Sequence, residues 1–580
     1  MSWLIGWLSE SLPPDAELVL ASIHPKSKFT IVTQNLCLAA GGPTETLRSS
    51  ALNDQTAGTG SGWLVCGLGI QTSDDHCRFL EDSDWHSEMS QPGVPDFNKH
   101  DGHFIACRWH GRLLEVYADQ LGLRTMYSAR NDKGVYFSSR LDWVAQLSGE
   151  SSIDFGNLGP RWLSFNQLSQ ESEVLNVRRL GPGGNGRVFP DSIEFRGTPW
   201  SPEFSPGFEE SAFRSHLAAL AFPALRDGRR VSLGLSGGLD SRALLAVSLH
   251  ERSSVNVHTF GNPRDPDVHI ARKIAAGEDL SQTLFLDPIP AMDECIALIT
   301  GYASQSHLTE PATSIIRLRF YDRLNARNKV MMDGGFGELF RRQYLNRLLF
   351  KGKSALESQN AEGIAPFLRA HRAGIFTREI NIQMERGIVR QLREVLDAMP
   401  PISSIGPGNF LDLFSLRTRV PNWGSPEQAR LDGLVVNYMP FVQPSLLRKG
   451  FSIPARNRKN GLLFRNLIRD LRPSLSHYPL AKSGTTYPFS LGTVQSWLWT
   501  KFKKRIGLRF QDTLQHEVLM RVKPFVQDLV ESSSVRTYGA YDYGELAQIV
   551  GQFYRGAPHL AGEVDWWIAF ELWRRSVGAK

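Results

Sequence analysis

The stretch SGGLDS, near the middle of the chain, contains residue types that together bind a phosphate chain and a metal ion. Gly237 and Gly238 lack a Cβ, so backbone N–H groups there can close on an anion. Ser236 and Ser241 add hydroxyl donors, and a following helix would add the positive end of its dipole. Asp240 would repel phosphate unless a cation lies between them, and Mg²⁺ binds one or two carboxylates together with phosphate oxygens.

The residues on either side of this stretch must hold it in a tight turn. Val231, Leu233 and Leu235 alternate with smaller residues, which predicts a short strand, and the run ALLA after the turn predicts a helix. We therefore predict a site for a metal-bound pyrophosphate group. A Gly-Gly turn with an Asp helix cap is the structural alternative. A P-loop is excluded, because that motif needs a lysine at the helix start and none is present here.

The composition is that of an ordinary soluble protein with room for at least two cores: 580 residues, 41% hydrophobic and 21% charged. The net charge of +6 is too small to indicate nucleic acid as a partner, and the basic run KFKKRIGLR at residues 501–509 is interpreted as a solvated helix face. The five cysteines lack metal-like spacing and suit a reducing cytosol. No apolar run reaches the ~18 residues of a membrane span, so we expect a cytoplasmic protein.

The pattern along the chain predicts two domains, 1–205 and 206–580, separated by the proline-rich connector GTPWSPEFSP. In the first, short alternating runs such as AELVLASIHP, KFTIVTQNLCLAA and GWLVCGLGIQT predict a β-rich fold. In the second, strand and helix patterns alternate, which indicates a parallel sheet with helices on its faces. Beyond Glu338 the chain is mainly helical. The predicted fold class is thus mixed, α/β and α+β.

This order of domains resembles the asparagine synthetase family, which includes β-lactam synthetases and lasso-peptide cyclases. The resemblance covers most of the chain, and SGGLDS matches the pyrophosphate loop of the family most closely. Five further segments carry it: YADQLGLRTMYSARNDKGVYFSSRLDWV at 117–144, RLGPGGNGRVF at 179–189, MMDGGFGELFRRQY at 331–344, YMPFVQPSLL at 438–447, and Lys482 in LAKSGTTYPF.

The resemblance implies an Ntn-hydrolase-like first domain of the glutamine amidotransferase type and an adenine-nucleotide α-hydrolase-like second domain. It also implies a reaction in which ATP with Mg²⁺ activates a small-molecule or peptide carboxylate as an acyl-adenylate, pyrophosphate leaves, and an amine or ammonia attacks. A homodimer is possible in such a family. The implied catalytic residues are Lys482 and Asp240, and the implied metal ligands are Asp240 and Asp333. The implied ATP-binding residues are Leu235, Ser236, Gly237, Gly238, Asp240, Ser241, Phe260 and Gly335.

The chain departs from the family at its start. Glutamine-dependent members have a cysteine directly after the initiator methionine, and this chain has Ser2. A hydroxyl is a far poorer nucleophile than a thiol at neutral pH unless a base activates it. We therefore expect no glutaminase activity and interpret the first domain as a degenerate scaffold.

The second departure is in the loop MDGGFGE. Gly337 stands where the family has a metal-binding aspartate, and Gly334 stands at the position that separates asparagine synthetases from lactam-forming relatives. Asp333 follows the predicted strand KVMM and could replace the missing carboxylate, or could bond the loop backbone instead. Glu338 is expected to enter the following helix and to cap or pair there.

Three more charged residues have two interpretations each. The pair Arg341 and Arg342 could bind phosphates or a substrate carboxylate, or could be exposed helix residues. Asp267 resembles an acidic residue of the family, or caps a helix. The leading function is an amide ligase without a working glutaminase. A lasso-type macrolactam cyclase and a non-catalytic nucleotide-binding relative are the alternatives.

Overall fold

The computed structural model describes residues 1–24, 26–50, 60–73, 76–204, 210–221, 230–251, 255–325 and 329–579. The expected domain boundary between residues 205 and 206 lies outside the described residues. The chain combines antiparallel sheets, a parallel sheet and a helical C-terminal half, as the sequence predicts. In the described ranges, no helix combines the length and apolar character needed to cross a membrane.

Two antiparallel sheets are formed by the first 200 residues. The first has the order β11-β9-β10-β1-β3-β2, and the second has the order β13-β12-β8-β7-β5-β4, with β6 also paired to β5. The strands are β1 Trp3–Leu8, β2 Phe29–Val32, β3 Leu36–Gly41, β4 Leu47–Ser49, β5 Ser61–Thr72, β6 Cys77–Phe79, β7 Asp101–His110, β8 Leu113–Ala118, β9 Tyr127–Asn131, β10 Gly134–Ser138, β11 Val177–Arg179, β12 Asn185–Phe189 and β13 Ser192–Arg196.

The two sheets pack face to face, with helices on both outer faces. Leu38 and Phe137 from one sheet and Ile105 and Val116 from the other share one buried core between them. The helices Ala16–Ile23 and Leu141–Ser148 lie on the outer face of the first sheet, and the helix Asp82–Ser90 lies on that of the second. The result is a helix–sheet–sheet–helix stack.

One strand prediction in this region is wrong. AELVLASIHP contains the helix Ala16–Ile23, not a strand. Alanine, leucine and glutamate are strong helix formers, and Ala16 and Leu20 are four residues apart and both buried. The remaining quoted runs do form strands, since KFTIVTQNLCLAA supplies β2 and β3 and GWLVCGLGIQT supplies β5.

The second part of the chain is built on a parallel sheet of order β16-β15-β14-β17-β18 and a small hairpin, β19-β20. These strands are β14 Arg230–Gly234, β15 Asn256–Phe260, β16 Gln282–Phe285, β17 Lys329–Met332, β18 Val436–Tyr438, β19 Leu480–Lys482 and β20 Thr485–Tyr487. All the pairings in the five-stranded sheet are parallel, as the alternation of strands and helices predicts.

Helices cover this sheet and are the main elements of the remaining described chain. Those that follow residue 150 are Phe155–Leu163, Glu210–Ala221, Asp240–His250, Pro266–Gly277, Met292–Ser306, Arg319–Asn325, Asn346–Lys351, Lys353–Glu357, Ala361–Leu368, Arg378–Asp397, Ile402–Arg419, Ser425–Ala429, Pro444–Ser452, Ala455–Arg458, Leu462–Leu471, Thr493–Arg505, Leu514–Arg521, Lys523–Glu531, Ser533–Arg536, Tyr543–Tyr554 and Ala561–Ser576.

The two parts of the chain are joined by buried contacts. The guanidinium of Arg124 binds both oxygens of Asp432 at 2.8 Å, and both side chains are almost completely buried. The helices Phe155–Leu163 and Arg378–Asp397 approach so closely that a Cβ at Gly387 would lie 1.8 Å from the carbonyl oxygen of Gly156. Buried residues of both parts therefore form one continuous core.

Candidate nucleotide site

The SGGLDS turn lies at the carboxyl end of β14, the central strand of the parallel sheet. The strand ends at Gly234 and the helix begins at Asp240, so the predicted strand–turn–helix is confirmed. The next two strands along the chain lie on one side of β14, and β17 and β18 lie on the other. Ligands of open parallel sheets bind at this reversal of strand order. The turn therefore stands where the fold provides a crevice.

Side-chain oxygens cover three consecutive N–H groups of the turn. The N–H of Ser236 donates to Ser241 Oγ at 3.2 Å, and that of Gly238 donates to Ser236 Oγ at 3.1 Å. Between them, the N–H of Gly237 donates to Asp267 Oδ1 at 2.9 Å. Each of the three donors thus has its own oxygen acceptor, and phosphate oxygens are acceptors of the same kind.

Asp267 holds this turn and does not cap a helix. The cap of the helix Pro266–Gly277 is Asp265, whose Oδ1 accepts the N–H of Asp267 at 3.0 Å. The cap interpretation of Asp267 is therefore wrong, because the helix begins one residue before it. Burial raises the pKa of Asp267, and the nearby Asp265 raises it further, against the hydrogen bond from Gly237.

Asp240 has one paired and one unpaired oxygen. Its Oδ2 lies 3.0 Å from a guanidinium nitrogen of Arg341. Its Oδ1 is buried, and no donor in the described part of the chain is within hydrogen-bond distance of it. Burial raises the pKa of this carboxyl to about 7; Arg341 opposes the shift, and Glu338 and Asp333 add to it. A buried acceptor without a donor is costly, and a cation would satisfy it.

The loop MDGGFGE packs directly against the start of the helix Asp240–His250. A Cβ at Gly337 would lie 2.5 Å from Asp240 Cγ, and a Cβ at Gly334 would lie 3.1 Å from the Ser241 nitrogen. Each of these glycines thus leaves room for the helix start. The structure brings the loop to Asp240, as a shared site requires, and gives a steric reason for glycine at position 337.

Asp333 follows β17 at its carboxyl end, as the run KVMM predicts. Its Oδ1 accepts the N–H of Gly335 at 2.9 Å. This is the hydrogen bond to the loop backbone that the sequence offers as the alternative to metal binding. Burial raises the pKa of this carboxyl. The side chain of Asn437 donates a second hydrogen bond to the same carboxyl, so metal binding by Asp333 would have to compete with these bonds and stays a prediction.

The remaining charges of the loop have defined partners. Glu338 lies in the short helical turn Gly337–Phe340 and pairs with Arg419. Arg342 is buried against Asp412, which also binds Arg458. The interpretation of Arg341 and Arg342 as exposed helix residues is wrong, because Arg341 reaches Asp240 and Arg342 supports the loop from inside.

Lys482 reaches the site on the hairpin β19-β20. The N–H of Ala481 donates to the carbonyl of Gly237 at 3.0 Å, which fixes the hairpin beside the turn. Ser483 and Gly484 have φ values of 50° and 72°, and a tight two-residue hairpin turn requires this left-handed backbone. Partial burial and the charge of Arg341 lower the pKa of Lys482. The hairpin thus places its cation near Arg341.

The sequence reasoning missed Arg242, whose guanidinium is completely buried. It donates to the carbonyls of Leu475 at 3.2 Å, Tyr478 at 2.8 Å and Pro479 at 2.7 Å, and to that of Gly237 at 3.4 Å. These bonds tie the segment before Lys482 to the turn. The one signal in the sequence is a charged residue directly before the apolar run ALLA.

The remaining proposed ATP contacts lie at the same edge of the sheet. Phe260 ends β15, and its ring stacks on Phe285 and Phe320 with centroids 5.0 and 5.8 Å away. A cleft of about 260 Å³ opens beside Phe320 and Gly261. Leu235 is buried, and a Cβ at Gly335 would lie 2.5 Å from Met439 Cε.

The start of the chain forms a different environment. Ser2 is completely buried; its hydroxyl donates to the carbonyl of Pro43 at 3.1 Å and lies 2.7 Å from the Thr46 hydroxyl. Both partners, found within the described ranges, are neutral oxygens, so neither is a general base. The amino group of Met1 donates to the carbonyls of Leu431 and Val435, and burial lowers its pKa to about 5.

Fold and site together define a mixed α/β protein that carries a glycine-rich turn at the reversal point of a parallel sheet. No family model matches the chain, and no curated protein matches it. Among solved structures it is similar to the allosteric regulatory enzyme of purine biosynthesis, with 10% identity over 50% of this chain and 80% of that chain and a TM-score of 0.22. It is also similar to glutamine phosphoribosylpyrophosphate amidotransferase from B. subtilis complexed with ADP and GMP. The identity is 11% over 58% of this chain and 81% of that chain, and the TM-score is 0.22. Similarity at this level identifies no family and no activity for this chain.

Proposed function

We propose that this protein is an ATP-dependent amide ligase that works through an acyl-adenylate. The observation that supports this proposal is that Asp240 pairs with Arg341 at a turn on the reversal point of a parallel sheet, and that the hairpin with Lys482 is hydrogen-bonded to this turn. Three separate parts of the chain contribute these charges. A site of this kind suits a reaction in which negative charge develops on a leaving pyrophosphate.

The donor chemistry of the site fits Mg²⁺. Asp240 Oδ1 is a buried carboxylate oxygen to which no described residue donates, and carboxylate oxygens are the ligand type that Mg²⁺ prefers. Asp333 is the second carboxylate candidate, and phosphate oxygens and water would complete the shell. When bound, the ion would neutralise phosphate charge and orient the leaving group.

The residues of the chain act on the substrates as follows. The N–H groups of the turn and the hydroxyls of Ser236 and Ser241 bind the β- and γ-phosphates in place of the oxygens that they now contact. Lys482 neutralises charge on the α-phosphate while the carboxylate oxygen of the substrate attacks phosphorus. The bond from the α-phosphorus to the bridging oxygen then breaks, and pyrophosphate leaves. The amine nitrogen next attacks the acyl carbon, loses a proton to solvent, and releases AMP.

We also infer the finer domain classes from these features. The helix–sheet–sheet–helix stack supports an Ntn-hydrolase-like, amidotransferase-type first domain. The order of the parallel strands supports an adenine-nucleotide α-hydrolase-like second domain. The closed environment of Ser2 supports a first domain that no longer hydrolyses glutamine.

The test is release of pyrophosphate from ATP and Mg²⁺ in the presence of a panel of carboxylates and amines. We expect Asp240→Asn to abolish release while the thermal unfolding curve stays that of a folded protein. Asp528→Asn, which alters an exposed aspartate on a distant helix, is the control and should match the parent. Unchanged release in Asp240→Asn would refute the proposal.

One observation favours a second candidate, a relative that binds nucleotide without turnover. Arg341 occupies an oxygen of Asp240, and glycine stands at position 337 where the resembling family has a metal ligand. Calorimetric titration separates the two functions. ATP binding that depends on Asp240, with no pyrophosphate from any substrate pair, would establish the non-catalytic candidate.

A further inference from the structure

The helix Thr493–Arg505 contacts the rest of the molecule through its polar side. Its least exposed residues are Thr493, Ser496, Thr500 and Lys503, which recur every three or four positions and so form one stripe. Ser496 is the one residue of this helix that is fully buried. Residues 501–509, interpreted from the sequence as a solvated face, are exposed apart from Lys503, and the side of the helix turned to the protein carries no large apolar residue.

Large apolar side chains lie on the opposite side, exposed. Val494 is 69% exposed, Leu498 55% and Phe502 59%, and these residues are spaced by four and so share one face. Trp497 is 51% exposed next to them. Ile506 and Leu508, just beyond the end of the helix, are also exposed, and Trp499 is 42% exposed on the flank of the helix beside Lys503. A surface helix normally buries its apolar face, so this helix has inverted polarity.

The same surface is strongly basic. No aspartate or glutamate occurs in the sequence between Asp470 and Asp512. The exposed residues Lys501, Lys504, Arg505 and Arg509 lie among or beside the apolar side chains. Lys501 is 4.8 Å from the centre of the Trp497 ring, so cation and aromatic ring form one surface. An occupant of this face must present both apolar material and negative charge.

We propose that the exposed face of the helix Thr493–Arg505, with Ile506, Leu508 and Arg509, binds an anionic lipid surface. Nucleic acid would satisfy the basic residues but offers no apolar layer to bury Val494, Leu498 and Phe502. A bilayer interface offers both, since acyl chains accept the apolar face and anionic headgroups attract the cations. Tryptophan is the side chain that prefers this interface.

The helix is fixed to the hairpin that carries Lys482. Lys503 Nζ donates to the carbonyl of Thr486 at 2.7 Å, and the N–H of Phe510 donates to the carbonyl of Gly484 at 2.8 Å. Arg509 Nε donates to the carbonyl of Ser483 at 3.2 Å. A protein bound to lipid through this face would therefore hold its candidate nucleotide site beside the membrane surface. The proposal itself does not depend on the function of that site.

The test uses sedimentation with vesicles of phosphatidylcholine alone and of phosphatidylcholine with phosphatidylglycerol, together with tryptophan emission. We expect the full chain to bind the anionic vesicles, to shift its emission to the blue, and to bind less as salt increases. The triple variant Lys501→Glu, Lys504→Glu, Arg505→Glu should lose roughly fivefold in partition for each charge removed. The double variant Leu498→Ser, Phe502→Ser should lose binding by about 100-fold.

Matched controls alter equally exposed residues elsewhere. Leu18→Ser with Phe350→Ser changes two side chains that are 74% and 78% exposed. Lys273→Glu, Lys353→Glu and Arg456→Glu reverse three exposed charges. Both control variants should bind vesicles as the parent does, and thermal unfolding of every variant should match the parent.

Three results would overturn the proposal. The first is that the full chain sediments with neither the anionic nor the neutral vesicles. The second is equal binding by the parent and by both helix variants. The third is a concentration-dependent dimer in solution that the double helix variant abolishes while lipid binding stays absent, because a second copy of the chain would then be the occupant.

Discussion

Ser2 at the start of the chain is completely buried, the SGGLDS turn is partly buried, and the hydrogen bonding of the two differs. Around Ser2, the hydroxyl has two neutral oxygen partners and the backbone is held by Arg124. In the turn, Asp240 retains a buried oxygen without a donor in the described part of the chain. A satisfied buried group stabilises the fold, whereas an unsatisfied one is a cost that a ligand can remove.

This difference favours the turn over Ser2 as the candidate ligand site. Among the described residues, Ser2 is completely buried and no base contacts its hydroxyl, so its environment is suited to structure. The turn combines a neighbouring cation on a hairpin with a carboxyl whose pKa is raised, and perturbed pKa values are typical of functional sites. The following predictions test this contrast, from the largest expected effect to the smallest.

Lys482→Ala should lower the rate of pyrophosphate release by roughly 10²–10³-fold, because it removes the cation opposite the developing charge. Nucleotide affinity should change much less. Single-turnover release measured with saturating ATP separates the two quantities. The control is Lys353→Ala, which removes an exposed lysine that pairs with Glu357 and lies far from Lys482 in the sequence. This variant should leave the rate unchanged. A Lys482→Ala rate equal to the parent would remove Lys482 from the site.

Gly337→Ala should destabilise the protein by about 1–3 kcal/mol, since the added Cβ would lie 2.5 Å from Asp240 Cγ. Chemical denaturation measures the change in free energy of unfolding, and nucleotide titration should show weaker binding. The control is Gly301→Ala, an exposed position in the helix Met292–Ser306 with no atom within 4 Å of the new Cβ. That variant should be stabilised by about 0.5–1 kcal/mol.

The stability of the protein should depend on Asp240 between pH 4 and pH 7. Its pKa is near 3.8 in the unfolded chain and about 7 in the folded protein, so the folded state favours the protonated form. This contribution to stability is present below pH 4 and is lost as the pH rises to 7. Asp240→Asn should flatten this part of the profile, and denaturation at several pH values measures it. Identical profiles would show that the pKa of this carboxyl is the same in the folded and the unfolded chain.

Ser2→Ala should have the smallest effect. The Thr46 hydroxyl still donates to the carbonyl of Pro43 at 3.1 Å, so the loss is about 1 kcal/mol or less. Glutamate release from glutamine should be at background in the parent and in the variant. Release by the parent that the variant lacks would make Ser2 a nucleophile and reverse the contrast drawn above.

Much of the fold follows from local patterns in the sequence. Alternation and the glycine-rich turn predict β14, the helix after it and the position of Asp333 behind KVMM, because a strand, a turn and a helix start each depend on a few adjacent residues. The helix Ala16–Ile23 was predicted as a strand, because four apolar residues in a short window fit both periods. The inverted polarity of the helix Thr493–Arg505 also cannot be predicted from a local pattern, because it depends on the elements against which the helix packs.

The site was predictable only in part, because its charges meet across long separations in sequence. The SGGLDS residues follow from their types and from the strand–turn–helix pattern, Lys482 comes from a family resemblance, and the contact between them through Ala481 and Gly237 is a structural finding. The pairing of Arg341 with Asp240 and the burial of Arg242 depend on segments about 100 and 230 residues apart. No periodicity in one sequence contains such information.

The bonds from Arg242 to the segment 475–479 have a consequence for biosynthesis. The turn leaves the ribosome long before the hairpin with Lys482, and until that hairpin is made the guanidinium has no carbonyls of residues 475–479 to bind. A nascent or truncated chain that ends before residue 475 would hold the glycine-rich turn without its supporting segment and without its cation. The candidate nucleotide site is therefore complete only late in the synthesis of the chain, after the hairpin with Lys482 has been made.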